Sequence, residues 1–87
     1  MTSPSIEVTL LTQSDCQSCD HATTVLATVE KDHPMTVRRV DLDSDDGRAL
    51  AARHGVLFAP GVLLDGKMFS YGRLSERRLR RHLARQY

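Results

Sequence analysis

Cys16 and Cys19 enclose two residues, as Cys16-Gln17-Ser18-Cys19, and they are the only cysteines in the chain. Thiols at this spacing have three chemical readings: a redox pair, half of a metal site, or two incidental sulfurs. As a cross-link the pair would do little, because so short a loop barely restricts the unfolded chain. Redox exchange needs one sulfur ionised at neutral pH and a second within reach to resolve a mixed disulfide. The first turn of a helix favours the ionised sulfur, since its N–H groups lack partners and the helix dipole is positive there. The spacing then makes Cys16 the nucleophile. Cys19, one turn on and more deeply placed, is the resolving thiol.

Two neighbours bear on this assignment. Asp15 sets a negative charge beside Cys16 and opposes its ionisation, and His21 stands too far along the helix to serve as its base. A structural metal site would need about four ligands. Cys16 and Cys19 would have to recruit His21, His33 or His54, and no pair of these sits at ligand spacing. The four histidines, including His82, read as surface or partly buried polar residues, and no metal site is expected. A metal or iron–sulfur carrier using the same cysteines, across a dimer, stays as the alternative.

The elements that must position the thiols follow from periodicity. Ile6 to Leu11 alternates as a strand, and Gln13 to Asp15 is a polar loop. From about Cys16 to Lys31, Ala22, Val25, Leu26 and Val29 form one apolar helical stripe, ended by Asp32-His33-Pro34. Met35 to Leu42 is a second strand, which a helical crossover places parallel to the first. Asp43 or Ser44 caps a second helix running to about His54, and Gly55 closes it. Val62-Leu63-Leu64, Asp65-Gly66 and Lys67 to Tyr71 read as a hairpin with a type I′ turn. Ser75 and Glu76 begin a last helix with Leu79 and Leu83 inward. The order β-α-β-α-β-β-α predicts an α/β fold, with a four-stranded mixed sheet and helices on both faces.

With 87 residues, 40% of them hydrophobic and none of them Trp, the chain has enough apolar side chains for one domain with an aliphatic core. Residues 1–87 are read as that single domain. A net charge of +1 does not suggest a nucleic-acid or membrane protein. The charge is uneven: six of the twelve basic residues are Arg73, Arg77, Arg78, Arg80, Arg81 and Arg85, while Asp41, Asp43, Asp45 and Asp46 gather elsewhere. The Arg-rich helix has no interleaved aromatics, so no nucleic-acid partner is expected. No segment approaches the ~20 apolar residues of a membrane span. The opening MTSPSIEVTLLT has neither a basic start nor a long apolar run, so neither a signal peptide nor membrane attachment is expected, and a cytoplasmic location is.

The strand ending LLTQSDC, the helix opening CQSC, the APG before VLLDG and the closing helix together resemble the glutaredoxin branch of the thioredoxin superfamily, over nearly the whole chain. The resemblance implies a thioredoxin-like fold and a dithiol–disulfide oxidoreductase with Cys16 as nucleophile and Cys19 as resolving thiol. It implies that Pro60 is a cis-proline facing the pair and that the Ala59 backbone holds substrate. It implies protein or low-molecular-weight disulfides and a reducing partner as reactants, glutathione as a candidate co-substrate, no bound cofactor, and a monomer. The chain departs from the family pattern in carrying Gln17-Ser18 between the cysteines and Phe58-Ala59 before the proline. Phe69-Ser70-Tyr71-Gly72-Arg73 stands where glutaredoxins carry a Gly-Gly and an Asp for glutathione; only Gly72 remains. Tyr71 and Gly72 join Ala59 and Pro60 as expected substrate-binding residues, with Tyr71, Arg73 and Arg77 available to a carboxylate. The electron donor stays open.

Overall fold

The computed structural model describes residues 5–86. The expectation drawn from the start of the chain falls partly on residues 1–4, outside the described residues. The elements are β1 (Ile6–Thr12), α1 (Gln17–Glu30), β2 (Met35–Asp41), α2 (Asp45–His54), β3 (Gly61–Leu64), β4 (Lys67–Tyr71) and α3 (Glu76–Gln86). Their order is the expected one, with boundaries that differ by a residue or so. The sheet runs β2-β1-β3-β4. β1 pairs parallel with β2 and antiparallel with β3, and β3 pairs antiparallel with β4.

The alternation in β1 sorts its side chains onto two faces. Ile6, Val8 and Leu10 meet the α1 stripe of Ala22, Val25, Leu26 and Val29, and Leu79 and Leu83 of α3 close the same cluster. Leu11 points the other way and packs with Leu42, Ala51 and Val56, so α2 covers the opposite face. Among the described residues, no aromatic side chain is buried in the core, as the composition predicts. The turn after α1 is tied to α3 through Arg80, which donates to Asp32 at 2.8 Å and to Glu76 at 2.9 Å. Those two carboxylates hold the Arg80 guanidinium more firmly protonated than usual, Asp32 contributing most.

Local chemistry sets the element ends. Ser44, rather than Asp43, caps α2, its Oγ accepting the Gly47 N–H at 3.0 Å. Gly47 is buried where α2 crosses the end of β2, and a Cβ there would run into the Asp41 carbonyl oxygen. The clustered aspartates shape this corner. Asp41 accepts the Asp43 N–H at 2.8 Å, Asp45 pairs with Arg48 at 2.9 Å, and Asp45 and Asp46 lie in the first turn of α2, where negative charge is favoured. Asp65 and Gly66 both have positive φ, 50° and 79°, as a type I′ turn requires. The hairpin is less regular than its sequence suggests. Val62 opposes Ser70 and Leu63 opposes Met68, so Phe69 falls between matched residues, as in a bulge.

Candidate functional site

Leu11 pairs with Gly61, Gly61 with Tyr71, and Thr12 with Asp41. The segments leaving β1, β2 and β4 and the one entering β3 therefore meet at one end of the sheet. Cys16 stands at this end as the N-cap of α1, in extended backbone with φ −116° and ψ 101°. Its Sγ accepts the Cys19 N–H at 3.1 Å, and its carbonyl accepts the N–H groups of Cys19 and Asp20 at 3.1 and 3.2 Å. Asp15, just before it, has φ 52°, a left-handed conformation that Asp and Asn adopt more readily than most residues. Cys16 and Cys19 are joined as a disulfide, with Cα atoms 5.2 Å apart. The pair is asymmetric: Cys16 is half-buried, whereas Cys19 is only 2% exposed. Of the two residues, Cys16 is the more open to an incoming group.

The residues expected to bind substrate lie at the same end. The Ala59–Pro60 bond is cis, Pro60 is buried, and its carbonyl accepts the Gly72 N–H at 2.8 Å. Ala59 is half-buried against the second core cluster. Gly72 has φ 83°, and a Cβ on it would lie 3.2 Å from Phe58 Cε1, so the Phe58 ring covers this glycine. Tyr71 meets Phe58 edge to face, with ring centroids 5.1 Å apart at 78°. Arg73 and Arg77 are exposed, and neither has an ion-pair partner among the described residues.

Two features of this end escape the sequence. Leu57, Phe58 and Tyr71, exposed by 76%, 54% and 40%, are the large hydrophobic residues that the described part of the chain leaves in water. His21, read from sequence as isolated, lines a cleft of about 320 Å³ with Val25, Arg73, Leu74, Ser75 and Glu76. The strands place the segment after β4 against α1, and no local motif signals that approach. Among the described residues, no group of three or more His, Cys, Asp or Glu forms that could hold a metal. Among the same residues, no helix is long and apolar enough to cross a membrane.

Comparison with known proteins agrees with this geometry. The family described as "Glutaredoxin-like domain (DUF836)" matches residues 7–84. No curated protein matches the sequence. Among solved structures, a point-mutant thioredoxin from Halobacterium salinarum superposes with a TM-score of 0.70 at 23% identity, covering 92% of this chain and 73% of that one. Fasciola hepatica thioredoxin gives 0.69 at 22% identity, covering 95% and 82%. A malaria-parasite thioredoxin-2, described as a component of a protein secretion machinery, gives 0.68 at 20% identity, covering 94% and 84%. The fold is thioredoxin-like, and it carries a CxxC disulfide of the kind that serves redox functions.

Proposed function

We propose that this chain, which belongs to the glutaredoxin-like domain (DUF836) family, is a dithiol–disulfide oxidoreductase. The observation that carries this reading is the asymmetry of the pair: a reachable sulfur on Cys16 at the start of α1, accepting the Cys19 N–H, and a buried sulfur on Cys19 one turn on. In the reduced protein the same N–H and the positive end of α1 favour the Cys16 thiolate. That thiolate attacks one sulfur of a substrate disulfide. The substrate S–S bond breaks, one half leaves as a thiolate and takes a proton from water, and the other half stays on Cys16 as a mixed disulfide. Cys19 gives up its proton to solvent and attacks Cys16 Sγ, releasing the second half and closing Cys16–Cys19. Two electrons pass from the pair to the substrate, and a separate dithiol reductant returns the pair to its starting state.

The substrates are protein or low-molecular-weight disulfides, with glutathione the first co-substrate to test. The protein acts as a cytoplasmic monomer and needs no bound cofactor. Ala59, Pro60, Tyr71 and Gly72 form the ground on which the substrate lies.

The deciding experiment equilibrates the protein with glutathione buffers and counts free thiols by alkylation mass shift. One reversible two-electron transition is expected, between about −180 and −270 mV. A pair that stays reduced throughout, or that alkylates only after a metal is stripped, would transfer the case to a metal or iron–sulfur carrier.

A further inference from the structure

A second charged feature lies on α3 and the edge strand β4. Leu79 and Leu83 turn inward and are fully buried, which leaves the outer face of α3 to arginine. Arg77, Arg78, Arg81 and Arg85 are all exposed. Arg80 has two carboxylate partners, whereas among the described residues none of these four has an ion pair. Phe69, set between matched positions by the hairpin irregularity, lies against Arg78 and lines one cavity with Arg81 and Arg85. The Arg78 guanidinium stands 5.8 Å from the Phe69 ring centroid, and the His82 ring lies 5.2 Å away, tilted by 59°. Phe69, Arg78, Arg81, His82 and Arg85 line a shallow cavity of about 220 Å³.

We infer that this cavity binds the carboxylates of an acidic protein segment. Arg78, Arg81 and Arg85 repeat at i, i+3 and i+7, one stripe about 10 Å long at 1.5 Å per residue. That is the reach of about three residues of extended chain, so neighbouring acidic side chains can meet successive arginines. A guanidinium fork takes a carboxylate through two parallel N–H bonds. Resting Arg78 on the Phe69 ring restrains its plane and leaves its N–H edges for a ligand.

Other polyanions fit less well. A single strand of nucleic acid would need an open aromatic face for its bases, and Arg78 and His82 already occupy the ring of Phe69. The exposed carboxylates of Asp41, Asp43, Asp45 and Asp46, with a net charge of only +1, repel a polyanion long enough to wrap the molecule. A membrane-surface helix needs an apolar stripe to insert, and the Leu79–Leu83 stripe is spent on the core.

The site goes beyond the redox reading, and its test uses the full chain in its oxidised form, where the closed disulfide takes thiol exchange out of play. Binding of a fluorescent Glu-rich peptide is followed by anisotropy, beside a single-stranded oligonucleotide and phosphatidylserine-containing vesicles. Saturable, salt-sensitive binding of the peptide is expected. Arg78→Ala/Arg81→Ala/Arg85→Ala should weaken it about tenfold or more, a change of about 1.4 kcal/mol. Arg38→Ala/Arg39→Ala, which removes as exposed a pair of cations from β2, should leave it unchanged. Replacing the same three arginines by Lys should restore only part of the affinity. Equal loss in the β2 variant, or full retention with Lys, would reduce the effect to general charge and overturn the site. Tighter binding of the oligonucleotide or the vesicles than of the peptide would overturn the choice of ligand.

Discussion

Cys16 Sγ accepts the Cys19 N–H at 3.1 Å, while Asp15 brings a carboxylate to the position just before it. These influences oppose one another: the N–H and the start of α1 stabilise a thiolate, and the Asp15 charge destabilises it. Asp15→Asn separates them, because Asn also accepts the left-handed φ of 52° seen at this position. A unit charge a few Å away in water-like surroundings is worth about 1 kcal/mol. The reduced variant should therefore react with iodoacetamide about fivefold faster at neutral pH, and an unchanged rate would remove Asp15 from the account. The burial difference within the pair yields a second expectation. Cys16→Ser should abolish disulfide reduction, while Cys19→Ser should accumulate a stable mixed disulfide on Cys16, visible as an added mass by intact-protein spectrometry. Sustained turnover of protein disulfides by Cys19→Ser, with no trapped adduct, would end the resolving role of Cys19.

Elements read well from sequence wherever local chemistry decides them. The stripe Ala22, Val25, Leu26 and Val29 faces the core as the helical period requires, and Gly55 closes α2 in the left-handed conformation at φ 70°. The turn type of Asp65-Gly66 is equally local. What local chemistry does not decide stayed hidden. The slip that leaves Phe69 between matched residues is set by how β4 packs across the sheet, and an alternation of residue types carries no sign of it. The approach of Arg73 to His21 depends on strand order, which brings together residues far apart in the chain. Gly47 is a case of the same kind: in sequence it is an unfavourable residue inside a helix, and only the crossing of α2 over the Asp41 carbonyl explains it. Gly47→Ala should therefore destabilise the protein by about 3 kcal/mol or more, the upper range for overpacking, because backbone cannot yield as a side chain can. A urea midpoint at or above that of the parent would show that α2 can shift without cost.

Across the whole molecule, exposed side chains are divided by chemistry. Exposed cations follow α3 down one side, carboxylates gather at the start of α2, and the exposed large hydrophobic residues Leu57, Phe58 and Tyr71 collect at the end of the sheet where Cys16 opens to solvent. Apolar side chains held in water at the same end of the sheet as Cys16 stabilise a complex only when a partner covers them, and a small disulfide covers far less of them than a protein does. The ledge is also preformed, since the Phe58 ring rests on Gly72 and against Tyr71, so little ordering remains for the partner to impose. Leu57→Ser/Phe58→Ser should thus discriminate between substrate classes. With an unfolded protein disulfide, KM should rise about tenfold, the equivalent of one modest interface anchor, with kcat little changed. With a small aromatic disulfide, kcat/KM should stay within about twofold, because the Cys16–Cys19 chemistry is untouched and the small substrate makes little use of the ledge. Equal losses on both substrates would mean that Leu57 and Phe58 act by holding the Pro60 segment in place; selective loss on the protein substrate assigns them to recognition.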